Sequence, residues 1–142
     1  MKYEFASRPW FAALHAIICE KAATAADIQP DFTYRICEVF TGVPERLSSS
    51  GRIAWHAIVR GRAVTFDLSE IDEADMKAVA DYPSVLPLAN YDTKGVPERA
   101  AELQAMSQAL VAAGRLTITG SSLAASANPM SSLHDSIAKL TK

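Results

Sequence analysis

The sequence predicts an α+β domain in which helices lie on one face of a mostly antiparallel sheet. Three observations carry this expectation. The apolar period is helical near the start of the chain and switches to two at Phe32. Two strand-like runs then flank Gly61-Arg62 as a hairpin, and helical stripes return only after the strands. With 142 residues the chain is long enough to bury one sizeable core. No internal repeat or linker divides it, so residues 1–142 read as one domain.

Ser7 followed by Arg8 and Pro9 marks a helix start, a capping hydroxyl with proline in the first turn. Trp10, Phe11, Leu14, Ile17 and Ile18 make its apolar stripe, and the helix is expected to run to about Ala26, before Gln29-Pro30-Asp31. Phe32, Tyr34, Ile36, Glu38 and Phe40 then share one face of a strand, with Thr33, Arg35, Cys37 and Val39 on the other. The loop from Thr41 to Gly51 leads to a second strand, Arg52 to Arg60, with Trp55 and His56 on opposite faces. The hairpin turn opens a third strand, Ala63 to Leu68.

The acidic stretch Glu70 to Asp75 reads as solvated. Met76 to Asp81 is a weaker strand, because alanine and lysine suit strands poorly. Tyr82-Pro83-Ser84 starts a short helix that ends near Asn90. Pro97 opens a longer one with Ala100, Leu103, Met106, Leu110 and Val111 on one stripe and Gly114 past its end. Arg115 to Thr119 alternates as a strand with Leu116 and Ile118 inward, and a small polar loop spans Ser121 to Met130. Ser132 and Asp135 have capping-box spacing before a last helix that buries Leu133, Ile137 and Leu140.

Hydrophobic residues make up 49% of the chain and aromatics 8%, while alanine alone fills 25 positions. Alanine fills helices well and cores poorly, so the composition suggests a hollow between layers. A net charge of −2 with no Lys/Arg run argues against nucleic acid. No apolar run approaches the ~20 residues needed to span a bilayer, so stable membrane insertion is not expected. No secretory leader is expected, because Glu4, Arg8 and His15 interrupt the apolar start. Ala138-Lys139-Leu140 resembles a peroxisomal address but is not terminal, and the expected location is cytoplasmic. Cys19 and Cys37 read as two buried free thiols. No nucleotide, zinc or hydrolase motif is present, so neither a metal nor a cofactor is expected.

Three residues could carry acid/base chemistry. Glu38 shares a strand face with aromatic and aliphatic neighbours, which would raise its pKa if that face is internal. The preferred alternative places it at the rim, paired with Arg52 or Arg60. Asp81 beside Tyr82 could form an acid/hydroxyl pair, or simply cap the helix after Pro83. His56 reads as a structural histidine before it reads as a base.

Gly114-Arg115-Leu116-Thr117-Ile118-Thr119-Gly120, followed by Leu123-Ala124, resembles the G-K-L-K-I-x-G…L-A signature of the sterol carrier protein 2-like family. Glu73-Ala74-Asp75, Ala80-Asp81, Leu86 and Leu88 are similar to that family's D-A-D…A-D…L-x-x-L stretch. The hairpin within Gly51 to Phe66, and Trp10 with Ala13-Leu14, fit as well. The resemblance implies a five-stranded twisted sheet covered by helices around an apolar tunnel for a sterol, fatty acid or acyl-CoA, with no catalytic residue. Two departures are the longer helical stretch Asn90 to Ala113, an inserted helix before the last strand, and the missing terminal peroxisomal signal.

On this reading the tunnel lining comes from Trp10, Leu14, Phe32, Ile36, Phe40, Trp55, Phe66, Met76, Leu86, Leu88, Met106 and Leu110. Met106 and Leu110 on the inserted helix would act as a lid. The plain alternative for each is ordinary core. The competing functions are an enzyme resembling ketosteroid isomerases and polyketide cyclases, using Asp81, His56 or Glu38, and an interaction module whose apolar surplus forms a homodimer.

Overall fold

The computed structural model describes residues 1–25, 28–120 and 130–142. Helix α1 spans Arg8–Thr24, and strands β1 to β4 span Thr33–Thr41, Arg52–Arg60, Ala63–Asp67 and Met76–Asp81. Helices α2 and α3 span Tyr82–Ala89 and Pro97–Ala112, β5 spans Leu116–Gly120, and α4 spans Leu133–Ala138. The strands form a five-stranded mixed sheet in the order β3-β2-β1-β4-β5. It is mostly antiparallel, with β1 and β4 as its parallel pair.

Helix α1 begins as its sequence requires: Ser7 Oγ accepts from the Trp10 amide at 3.3 Å and donates to the Glu4 carbonyl at 2.6 Å. It buries Trp10, Phe11, Leu14, Ile18 and Ala22 against the sheet and stops at Thr24, where Ala25 turns extended. The end expected near Ala26 lies outside the described residues, as do residues 121–129, where a loop is expected and the Leu123-Ala124 pair falls. Strand β1 starts at Thr33, one residue later than expected. Phe32 precedes it, half-buried and stacked on Tyr34 at 6.5 Å.

Strand register writes three rows across the helix-facing side of the sheet. They are Phe66–Ala57–Ile36–Met76, then Trp55–Glu38–Ala78–Ile118, then Ile53–Phe40–Ala80–Leu116. The period of two in β1 therefore acts as the sequence suggests, with Tyr34, Ile36 and Phe40 in the main core. Gly120 closes the last strand against the Asp75–Met76 backbone. A Cβ there would lie 1.9 Å from the Asp75 carbonyl oxygen, and its φ is +89°, so glycine is required twice over.

Two expectations about the later helices are corrected. The α3 stripe is Leu103, Met106, Ser107 and Leu110, all half-buried, whereas Ala100 and Val111 face solvent. No α3 side chain is fully buried, because the helix lies over α2 and the edge strand β5 rather than over the centre of the sheet. The capping box of α4 does not form. Ser132 Oγ accepts from Lys21 Nζ at 2.7 Å, and the Asp135 carboxylate instead accepts from the Thr93 amide and hydroxyl at 2.9 and 2.5 Å. Asp135 thus ties α4 to the segment that leads into α3. The acidic stretch is also more engaged than expected: Glu70 pairs with Arg52 and Lys77, each at 2.6 Å, and Asp75 accepts from the Arg35 amide at 2.7 Å.

Thr141 holds α1 to α4. The buried Trp10 indole N–H donates to Thr141 Oγ1 at 2.9 Å, and that hydroxyl donates to the Ile137 carbonyl at 2.8 Å. Thr141→Val keeps the shape and leaves the indole N–H without an acceptor, which is expected to cost about 1–3 kcal/mol in urea denaturation. Thr141→Ser, which keeps the hydroxyl, is expected to lose less than half as much. Equal losses in the two variants would show that the bond contributes nothing.

Candidate functional site: an apolar cavity with one carboxylate

Strands β1 and β2 present Phe40 and Trp55 to the helices, but β4 presents Ala78 and Ala80 beside them. The short side chains leave unfilled space between sheet and helices, a cavity of about 210 Å³. Its floor is Glu38, Phe40, Trp55, Met76, Ala78, Ala80, Leu116 and Ile118. Phe5, Trp10 and Leu14 wall one side; α2 contributes Val85, Leu88 and Ala89, α3 contributes Leu103 and Ser107, and α4 contributes Leu133, His134 and Ile137. Ile118 remains 49% exposed on the edge strand β5, so the cavity reaches solvent along that edge.

The two ends differ in packing. At the Phe5 end an aromatic cluster is closely fitted: Phe5 stacks on Tyr82 at 5.1 Å and meets Trp10 and Phe40 edge-on at 5.1 and 4.9 Å. At the α3 end the wall is a helix with no buried side chain.

Three lining side chains besides the two indoles are polar. Ser107 Oγ donates back to the Leu103 carbonyl at 3.0 Å. His134 Nε2 donates to the Tyr91 carbonyl at 2.8 Å, which places a proton on that nitrogen. Glu38 Oε1 accepts from the Trp55 indole N–H at 3.2 Å, and no described residue bonds its other oxygen. Glu38 keeps its partial exposure through the cavity while protein surrounds it, and this burial pushes its carboxyl up to about 7. The bond from Trp55 acts in the opposite direction and is outweighed.

The cavity gathers Trp10, Leu14, Phe40, Trp55, Met76 and Leu88 of the residues the sequence singles out. The other six lie elsewhere. Ile36 is packed into the core below, and Phe66 is sandwiched between Trp55 at 5.6 Å and His15 at 4.7 Å. Phe32 sits at the sheet margin, and Leu86 packs on the core outside the cavity. Met106 and Leu110 do not reach it; Leu103 and Ser107 are the α3 residues that do. The small residues that open the cavity are strand alanines, whereas the alanines of α3 at 100, 101, 105 and 109 face solvent.

The acid/base candidates are not brought together. Asp81 caps α2, accepting from the Ser84 amide at 3.3 Å and from the Ser84 hydroxyl, and does not line the cavity. Tyr82 donates its hydroxyl to the Phe5 carbonyl at 3.1 Å rather than pairing with Asp81. His56 lies on the opposite sheet face with Nδ1 2.8 Å from the Ser69 carbonyl. Glu38 is internal, not at the rim, because β1 is paired along both edges; Arg52 pairs with Glu70 instead. Among the described residues no three His, Cys, Asp or Glu side chains form a metal-ligand set. Cys37 is a buried free thiol, pushed up by burial, whereas Cys19 is only half-buried. No described helix is long and apolar enough to cross a membrane.

Of the lining residues that were not singled out, Leu116, Ile118, Leu133 and Ile137 were readable as inward positions of their elements. Ala78 and Ala80 share the face of Met76 by strand alternation. Phe5 precedes the helix cap, where no period marks it.

Solved structures similar to this chain include a solution structure of a conserved hypothetical protein from Thermus thermophilus, described as a candidate sterol carrier protein. It is 14% identical over 99% of this chain and 90% of that chain, with a TM-score of 0.46. UbiJ-SCP2, a ubiquinone synthesis protein, is 14% identical over 96% of both chains with a TM-score of 0.47. A crystal structure of sterol carrier protein 2 is 15% identical over 96% of both chains, also with a TM-score of 0.47. No family model and no curated protein matches the chain.

The Glu38 carboxyl makes a signed prediction. With its folded value raised from 4.5 to about 7, the folded protein holds this proton to higher pH than the unfolded chain does. Its contribution therefore weakens stability as pH rises through that window. Among the described lining residues the other titratable group is His134. Glu38→Gln is expected to melt with the parent protein near pH 4, below the unfolded value, and about 2–6 °C above it at pH 8. Parallel pH profiles would mean that Glu38 titrates as an exposed acid.

Proposed function

We propose that residues 1–142 act as one binding domain for a small hydrophobic ligand, of the sterol, fatty acid or acyl-CoA class, held in this cavity. The observation that carries the reading is the cavity itself: about 210 Å³ lined almost wholly by apolar side chains from the sheet and the four described helices. Well-packed cores do not leave such space, and a dry apolar pocket with a few placed polar groups is the usual form of a small-molecule site. The sequence resemblance to the sterol carrier protein 2-like family points the same way.

Binding would proceed by partition. Ligand surface leaves water for the lining at roughly 25 cal/mol per Å² of apolar area, with no chemical step and no cofactor. The closely fitted aromatic end supplies a fixed wall. Helix α3, which buries no side chain fully, is the part of the cover that opens at least cost and serves as the gate. The inserted stretch Asn90 to Ala113 is thus kept as the gate, with Leu103 and Ser107 rather than Met106 and Leu110 lining the cavity.

Two measurements test the reading together. Native mass spectrometry of the protein purified without denaturation is expected to show a retained lipid or uptake of added fatty acid or sterol. The double substitution Ala78→Leu with Ala80→Leu fills the floor and is expected to weaken that uptake at least about tenfold, with circular dichroism unchanged. Uptake that is undiminished in the filled variant, or absent from the parent protein, contradicts the proposal.

A further inference from the structure

Glu38 is the sole charged side chain among the described residues that line the cavity, and nothing in the packing requires it there. Its row runs Trp55–Glu38–Ala78–Ile118, so an indole lies on one side and a methyl group on the other. Among the described residues no cation pairs with it; Arg52 is taken by Glu70 and lies at the end of β2. One carboxyl oxygen is held by Trp55 at 3.2 Å, which fixes the group in place. The other is bonded by no described residue, and the half-buried side chain that carries it lines the cavity. An acceptor kept unpaired in an apolar enclosure is unfavourable until something donates to it.

We propose that Glu38 reads the inner end of the ligand, accepting a hydrogen bond from a neutral hydroxyl on an otherwise apolar molecule. The inference rests on the cavity being a ligand site, and narrows its occupant to an alcohol. Once ionised, the group accepts and does not donate, so it has nothing to offer an ether or ester oxygen; its raised pKa of about 7 makes pH 8 the condition in which this holds. The ionised group repels a second carboxylate in a low-dielectric space, so a fatty acid entering head first must take up a proton, a cost an alcohol does not carry. An alcohol satisfies the free oxygen without bringing a charge out of water. Trp55 holds the acceptor still, so little ordering is lost when the hydroxyl arrives.

The test uses N-phenyl-1-naphthylamine, a neutral apolar fluorophore, displaced from the intact protein at pH 8 by four probes of equal chain length. These are 1-decanol, decyl methyl ether, decanoate and decylamine. The alcohol is expected to displace the fluorophore at about tenfold lower concentration than the ether or the carboxylate. In Glu38→Leu the alcohol-to-ether ratio is expected to fall to near one. Glu38→Gln, whose amide oxygen takes the Trp55 N–H and so turns its NH2 donor to the cavity, is expected to bring the alcohol-to-ether ratio down toward one as well and to lose most of the discrimination against decanoate. Equal displacement by alcohol and ether in the parent protein, or a ratio unchanged in Glu38→Leu, overturns the assignment while leaving the cavity as a ligand site. Decylamine competing better than 1-decanol overturns it in favour of a cation. If the fluorophore does not bind the parent protein, the ligand-site reading itself fails, and this inference with it.

Discussion

Strand β1 is hydrogen-bonded along both of its edges, antiparallel to β2 and parallel to β4, and its register decides what the helices cover. Because side chains alternate across a strand, a slip of one residue would turn Arg35, Cys37 and Val39 toward the helices and send Ile36, Glu38 and Phe40 to the other face. The same register sets Glu38 beside Trp55 on one neighbour and Ala78 on the other. The indole that orients the carboxyl and the methyl group that leaves room above it are thus both consequences of one pairing. The parallel pair matters as much as the antiparallel one, since it is β4 that brings the two short side chains to the centre of the floor.

Two unfavourable features meet at that place. Unfilled space forfeits packing contacts, and a carboxyl in apolar surroundings loses hydration. Elsewhere the interior is conventionally packed: Phe5, Trp10, Phe40 and Tyr82 interlock at ring separations near 5 Å, and the Trp10 indole finds the Thr141 hydroxyl. Helices α1, α2 and α4 each bury side chains fully, whereas α3 buries none. Helix α3 is still tethered at its entry, where Asp135 on α4 holds Thr93. Movement is therefore easier at its far end, next to β5 and the exposed Ile118.

Much of the fold was legible because it is written in local periods. The switch at Phe32, the Gly61-Arg62 turn and the Ser7 cap each specify a boundary through the residues that form it. What was not legible depends on partners distant in sequence. No pattern announces that β1 pairs with β4, so Glu38 could be assigned to a rim although its strand is central. Asp135 stands three residues after Ser132, as a capping box requires, yet the Thr93 amide and hydroxyl, 42 residues away, claim its carboxylate. Helix α3 carries enough alanine to look apolar over a wide arc, and only its seat over an edge strand decides which part turns inward. The composition, apolar but padded with alanine, pointed to a hollow but not to its makers: Ala78 and Ala80 on a strand, not the helical alanines.

The most direct test of the cavity as a ligand site is a methyl-resolved NMR titration of alanine-labelled protein with a long-chain alcohol. The Ala78 and Ala80 methyls should shift progressively to saturation, while the methyls of Ala100 and Ala105 on the solvent face of α3 stay fixed. Shifts confined to exposed alanines, with Ala78 and Ala80 unmoved at saturating alcohol, would contradict the account.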